Sequence, residues 1–163
     1  MSTSSSDHPA VDVALTTLVS VVNDVAEPLD GPGVTLTVPG LLITGKIIPN
    51  WYWSQDAGER HRAAYIEAGG KLTEDGHSPW SKYFDRISTA MTTRRDEQKA
   101  AMDAAVDLAD RYRKHIATSD DPSFIHLRDA RIWAGATTVP SGEGTFWRGR
   151  LSDVVGWVFG ELG

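Results

Sequence analysis

The chain has 163 residues, no cysteine, and 16 Lys and Arg against 22 Asp and Glu, which gives a net charge of −6 at pH 7. This length predicts one domain that can bury a sizeable core without crosslinks. The absence of cysteine excludes disulfides, thiolate metal sites and a cysteine nucleophile, and it fits a reducing, cytoplasmic location. The acidic balance argues against nucleic acid as the main partner, because that affinity comes from clustered Lys and Arg.

The first residues are rich in Ser and Thr, carry neither Lys nor Arg, and precede no long apolar run. They therefore predict neither a secretory signal nor a membrane-spanning helix. We expect residues 1–8 to form a disordered tail. Residues 9–163 are predicted to form a single α+β domain with a helical insertion at residues 54–117.

A helix and a β-hairpin are predicted for the part of the chain that follows the tail. Apolar residues recur every three or four positions between Val11 and Ala26, which is typical of an amphipathic helix. Val34–Val38 and Leu41–Ile48 then read as two strands joined by a Pro39-Gly40 turn. Gly45, inside the second strand, predicts a bend, a bulge or the close approach of another backbone.

The insertion is predicted to contain two helices. The first runs from Ser54 to Ala68 and stops at two glycines. The second starts at Pro79, has an apolar stripe that includes Tyr83, and extends to Ala117. A cap-like pattern at Thr92 and Thr93 leaves two alternatives, a continuous helix and a helix broken near those residues.

Three aromatic residues, Trp51, Tyr52 and Trp53, follow directly after the hairpin. Aromatic side chains fill cores before they do anything else, so the first interpretation is packing between the insertion and the sheet. The alternative is an aromatic patch that faces a partner, with Trp51 and Trp53 as its contact residues.

The last forty residues are predicted to form antiparallel strands. Phe124–Trp133 and Phe146–Gly160 are apolar and β-branched runs, and the polar segment Gly135–Gly144 connects them. The fold class is therefore α+β, with an N-terminal helix, a bent antiparallel sheet of about five strands, and the insertion between strands 2 and 3. This order of elements is also that of Sm-like small barrels, an analogy that carries no function with it.

Two blocks of this sequence resemble the gas vesicle accessory protein U (GvpU) family. They are F-I-H-L-R-D-A-R-I with the later F-W-R-G-R-L-S-D-V-V-G-W-V-F-G, and V-T-L-T-V-P-G-L-L-I-T-G-K-I-I. The resemblance implies a cytoplasmic, non-enzymatic protein that acts on vesicle assembly, on the vesicle surface or on the association of vesicles. It assigns no residue a role, and the region from Trp51 to Asp121 has no recognisable counterpart in the family.

The residues themselves show no catalytic machinery. None of the five histidines stands at a metal-ligand spacing from another, and the chain lacks nucleophile-elbow, P-loop and dinucleotide-binding glycine motifs. His126 is expected on the polar face of a strand, where a lone histidine is seldom a base. We therefore expect no enzyme activity, no metal and no cofactor.

Arginines on the C-terminal strands are the best candidates for a functional surface. Arg148 and Arg150 share a strand face with Phe146, and Arg128 should lie on the neighbouring strand. Arginine and aromatic residues are enriched at protein interfaces. The competing interpretation is that these arginines form ion pairs with carboxylates nearby in the sheet, with Asp129, Glu143 and Asp153 as candidates.

Three functions remain open on the sequence alone. The first is an interaction protein that binds the gas vesicle shell or another gas vesicle accessory protein, through Arg128, Phe146, Arg148 and Arg150 or through Trp51 and Trp53. The second is an Sm-like, oligomeric RNA-binding protein, which needs a local basic stripe to overcome the net charge. The third is a small-molecule-binding domain with a pocket between insertion and sheet. No membrane association is expected, and a homo-oligomer is one of the assemblies considered.

Overall fold

The computed structural model of the chain describes residues 11–109 and 122–162. The chain divides into two compact units. The first contains every strand and most of the N-terminal helix, and the second contains two long helices. The tail predicted at residues 1–8 lies outside the described residues.

Helix α1 spans Val13–Asn23 and begins at a side-chain cap. The Leu15 N–H donates a hydrogen bond to Asp12 Oδ1 at 2.9 Å. This hydrogen bond lowers the pKa of the Asp12 carboxyl, and it satisfies a backbone donor that the first turn would leave unpaired. The helix is shorter at both ends than the predicted Val11–Ala26. Its start is fixed by the Asp12 cap, and it ends at Asn23 although apolar residues continue at helical spacing beyond that point.

Within residues 11–109 and 122–162 the sheet is antiparallel and has six strands. They are β1 Gly33–Val38, β2 Leu41–Ile47, β3 Phe124–Ala134, β4 Thr137–Val139, β5 Thr145–Arg150 and β6 Gly156–Phe159. Their order is β4-β3-β2-β1-β6, and β5 also pairs with β3. The predicted α+β class is confirmed. The sheet is open among the described strands, so it does not form the closed small barrel considered above.

The sheet has one strand more than the five or so predicted, and the additional strand is β4. It is three residues long, lies inside the segment predicted as a connection, and pairs with the second half of β3. The run Phe146–Gly160, whose number of strands the sequence leaves open, contains two strands, because a 3₁₀ turn at Leu151–Asp153 separates β5 from β6.

The core of the first unit lies on one face of the sheet. Its members are aliphatic residues at alternate positions of β1, β2 and β3, each at most 1% exposed: Val34, Leu36, Ile43, Ile47, Ile125 and Leu127. On the opposite face Thr35 and Thr44 are buried and their hydroxyls lie 3.3 Å apart. The Thr35 hydroxyl also donates to the Gly160 carbonyl, and the Leu162 N–H donates to the Thr44 hydroxyl. The segment after β6 therefore bonds to the polar face of β1 and β2.

Strand β3 bends at Asp129, whose φ is 53°. The pairing registers with β2 and with β5 both shift at this point. A Cβ at Gly45 would lie 2.9 Å from the Arg128 carbonyl oxygen, and a Cβ at Gly144 would overlap the Asp129 backbone. The close approach predicted at Gly45 is confirmed, and a second glycine serves the same bulge from the other side.

The second unit contains α2, Asn50–Glu67, and α3, Ser81–Ala109. Helix α2 starts four residues before the predicted Ser54, so all three clustered aromatic residues lie in its first turn. Helix α3 is continuous across Thr92 and Thr93, which decides between the two alternatives for this stretch. The remainder of the predicted helix, residues 110–117, lies outside the described residues.

The helix pair has little interior of its own. Helix α2 comes close to α3 at Gly58, where a Cβ would lie 2.9 Å from the Cβ of Phe84. Between residues 50 and 101, the side chains that are fully buried are those of Trp51, Ser54 and Ser78. The two helices therefore leave most of their apolar side chains in contact with solvent.

Candidate functional site

Strands β3 and β5 carry two exposed arginines beside two half-buried phenylalanines. Arg148 lies opposite His126 in the ladder, and Arg150 lies opposite Phe124. The Arg148 guanidinium carbon is 3.7 Å from the centroid of the Phe124 ring, which is cation–π geometry. The structure thus brings Arg148 and Arg150 to one strand face with Phe146, as predicted from their alternation.

Arg128 is separate from this pair and has structural contacts. Its guanidinium bonds to the Asp30 carboxylate, which also lies 3.9 Å from the Lys46 ammonium. A second carboxylate, that of Asp129, lies 3.7 Å from Arg128 Nε. The ion-pair interpretation therefore accounts for Arg128, and these part-exposed pairs contribute modestly to stability.

His126 is buried, not exposed on a polar strand face as predicted. It is 2% exposed, because both faces of β3 are covered near the start of the strand, at Ile125–Leu127. Burial, assisted by the nearby Arg148 charge, lowers the pKa of His126 to about 3. The imidazole is consequently neutral at pH 7 and inaccessible to a substrate, which suits a structural residue.

Of the two tryptophans predicted as partner contacts, Trp51 is 8% exposed and Trp53 is half-buried. The Trp51 indole N–H donates to the Val25 carbonyl at 3.2 Å, and the Arg95 guanidinium lies 5.4 Å from the Trp51 ring centroid. Both contacts lie within the second unit, so they give Trp51 a packing role in that unit and do not test packing against the sheet. A partner-binding role for either residue stays a prediction.

Trp51→Phe should lower the free energy of unfolding by about 1 kcal/mol, because it keeps an aromatic ring but leaves the Val25 carbonyl without its donor. Urea unfolding followed by circular dichroism measures the change. A purely packing role also predicts that binding to any partner is unchanged in the folded variant. Loss of binding with unchanged stability would instead make Trp51 a contact residue.

Two further exposed aromatic side chains lie elsewhere, at the start of α3. Trp80 is 56% exposed and Tyr83 is 55% exposed. Their rings are 6.4 Å apart and nearly perpendicular, and Tyr83 packs in the same manner on Phe84 at 5.3 Å. His61 of α2 completes the group at 6.2 Å from Trp80 and 5.7 Å from Phe84. We call His61, Trp80, Tyr83 and Phe84 the aromatic cluster.

The sequence pattern did not single out this cluster, because Tyr83 and Phe84 stand at the spacing of an apolar helix stripe, which normally predicts a core face. A signal was nevertheless present. Trp80 precedes the helix in the run S-P-W-S-K-Y-F, where a large aromatic residue stands among polar ones.

A groove of about 470 Å³ lies in the first unit. Its apolar lining comes from Val38, Leu41, Ile43, Trp147 and Val155, with Arg150 and Asp153 also present. Among the described residues that line it there is one carboxylate and no histidine, so the groove offers no acid–base pair.

Within residues 11–109 and 122–162, no three His, Asp or Glu side chains gather as a metal ion would require. In the same part of the chain, no helix combines the length and the apolar character needed to cross a bilayer.

Comparison with protein-family models matches residues 78–162 to the family described as gas vesicle protein GvpU-like. The match includes α3 and every strand from β3 to β6, and it covers just over half of the chain. The hairpin Val34–Ile48 lies outside it. The expectation that the region from Trp51 to Asp121 has no counterpart in the family is wrong for its second part, because the match begins at residue 78 and includes α3. No curated protein and no solved structure matches.

Proposed function

This chain belongs to the GvpU-like family of gas vesicle proteins, and from that premise we propose that it is a non-enzymatic accessory protein that binds other gas vesicle components. The expected partner is a protein on the vesicle shell. We further infer a cytoplasmic location and a function that needs no cofactor. The groove and the buried histidine are then parts of the scaffold and not of a catalytic site.

The observation that carries this proposal is the exposed aromatic cluster. Tryptophan and tyrosine are the residues most enriched among those that dominate binding energy at protein interfaces. Trp80 and Tyr83 leave more than half of their surfaces in solvent. Trp80, Tyr83 and Phe84 also lie inside the family match, near its start.

Rigid placement supports the same conclusion. The perpendicular ring contacts within the aromatic cluster hold Tyr83 between Trp80 and Phe84. A preorganised aromatic surface loses little side-chain entropy when it binds, so more of the contact energy is retained as affinity. The acidic net charge keeps the free protein soluble despite this apolar surface.

Flotation tests the proposal. The purified protein is mixed with isolated gas vesicles, the vesicles are allowed to rise, and the protein that rises with them is measured. We expect co-flotation that persists at moderate salt, because apolar contacts are insensitive to ionic screening. Trp80→Ala with Tyr83→Ala should reduce the floated fraction at least tenfold, the effect of losing two central aromatic contacts of about 1 kcal/mol or more each.

Ile66→Ala is the matched control for this variant, because Ile66 is also an exposed apolar residue of the helix pair but lies outside the aromatic cluster. It should float as the wild type does. Equal loss in both variants would assign the effect to general surface hydrophobicity. Failure of the folded wild-type protein to float would exclude the shell as partner.

The same assay tests the arginine surface predicted from the sequence. Arg148→Ala with Arg150→Ala is compared with Arg62→Ala and Lys99→Ala, which remove the same charge from exposed helix positions. If the aromatic cluster is the contact surface, the first pair retains shell binding. Selective loss in the first pair would move the contact surface to β5.

A further inference from the structure

The sheet has two open edges, one formed by β6 and the other by β4 and β5, which pair with different parts of β3. Strand β6 pairs with β1 and β5 pairs with β3, and no described strand lies beyond either of them. The Gly160 N–H donates to the Gly33 carbonyl at 2.9 Å. Because hydrogen-bonded pairs alternate along an antiparallel ladder, Trp157 and Phe159 direct their N–H and C=O groups away from β1. The β6 edge is thus a template for another strand.

This edge lacks the charged residues and the proline that often prevent strand addition, although β6 is only four residues long. Val158 and Phe159 are 61% and 65% exposed, and Val155, just before the strand, is 69% exposed. Such an edge is expected to be covered by a partner strand, since monomeric proteins rarely leave one open.

The two edge strands differ in charge: β5 carries two arginines, with the carboxylates of Glu143 and Asp153 in the connections on either side of it, whereas β6 itself carries no charged residue. Beside β6 lie the exposed carboxylate of Asp12, which accepts a hydrogen bond from the Trp157 indole, and that of Glu161. The β5 edge carries the exposed side chains of Arg148 and Arg150. Within the described residues Arg150 has no salt bridge, so its charge is available to a neighbouring molecule.

Charge distinguishes three ways in which β5 and β6 of two copies could pair. A β6–β6 contact would bring the acidic groups of both copies together, and a β5–β5 contact would bring the arginines together. A β5–β6 contact avoids both and places the arginines of β5 beside the carboxylates that flank β6. We propose that β5 of a second copy of this chain pairs with β6, so that the sheet continues from chain to chain.

Such a contact is head-to-tail. Each bound copy still presents one open edge, so the assembly grows into a closed ring or an open filament. Backbone hydrogen bonds along the edges would provide affinity, as in other strand-addition complexes, and burial of Val158 and Phe159 would add to it. This inference concerns the protein alone and is independent of binding to gas vesicles.

Complementary edge variants test the proposal by sedimentation in the absence of vesicles. The wild type should form species of more than two chains. Arg148→Glu with Arg150→Glu blocks the β5 edge, and Val158→Lys with Phe159→Lys blocks the β6 edge. Each variant alone should be monomeric. Their 1:1 mixture should form a complex of one chain of each, because one intact β6 edge and one intact β5 edge remain.

The outcomes separate the alternatives. Dimers of the β5 variant alone would indicate β6–β6 pairing, and dimers of the β6 variant alone would indicate β5–β5 pairing; either result overturns the head-to-tail arrangement. A monomeric wild type at all concentrations, or no complex in the mixture, overturns edge pairing itself. Lys82→Glu with Arg86→Glu, the charge-matched control on α3, should assemble as the wild type does. Arg150→Glu alone replaces the double variant if circular dichroism shows that variant to be unfolded.

Discussion

Gly144→Ala should lower the free energy of unfolding by about 3 kcal/mol, the upper part of the range for an added group that the surroundings cannot accommodate. The new Cβ would overlap the backbone of Asp129, and backbone cannot rotate aside as a side chain can. For a chain of this size we expect the melting temperature to fall by about 10 °C. Differential scanning calorimetry measures the change.

Gly142→Ala is the matched control for this substitution. It introduces the same methyl group two residues away, where no atom would lie within 4 Å of it and φ is not positive. Its effect should stay within about 0.5 kcal/mol. If the two variants had the same melting temperature, the bulge at Asp129 would not be the tight backbone contact described above.

Acid should destabilise the protein through His126 at pH values higher than those at which carboxylates become protonated. The pKa of His126 is about 3 in the folded chain and ordinarily 6.5, so the folded state binds fewer protons between these values than the unfolded state does. The free energy of unfolding is therefore not lowered by His126 above pH 6.5. It falls as the pH drops from 6.5 towards 3, because the unfolded chain takes up a proton that the folded chain excludes. At pH 5 the loss relative to pH 7.5 should be about 2 kcal/mol.

His126→Gln isolates this effect, because glutamine does not titrate. The variant should be less stable than the wild type at neutral pH, but its stability should fall less steeply between pH 6.5 and pH 4. Urea midpoints across this range give both slopes. His77→Gln, a change at an exposed loop histidine, should keep the wild-type slope. Identical slopes in wild type and His126→Gln would mean that folding does not lower the pKa of His126.

The elements that could be predicted from the sequence have strong local signals. The β1–β2 hairpin follows from strict alternation, and the bulge opposite Gly45 follows from a glycine inside a strand. Strand β4 has only three residues and so gives no measurable period. The division of Phe146–Gly160 depends on burial of Leu151 at a 3₁₀ turn, which apolar composition alone cannot distinguish from a continuing strand.

The candidate site was harder to predict, because it depends on which faces are covered. His126 alternates with apolar residues, and that pattern normally places it in solvent. Tyr83 stands at core spacing yet is exposed, because the helix pair has almost no interior at that level. Arg128 and Arg148 look alike in sequence, and the bend at Asp129 is one reason why they have different neighbours.

The place of β1 in the sheet has a consequence for the order of folding. It lies between β2, the strand that follows it directly, and β6, the last strand of the chain. The hydrogen bond from Thr35 to Gly160 spans 125 residues. A nascent chain can therefore close the hairpin early, but the other edge of β1 stays uncovered until β6, more than a hundred residues later, has left the ribosome. Such long-range pairing slows folding and exposes an apolar strand during synthesis, when a chaperone has most to contribute.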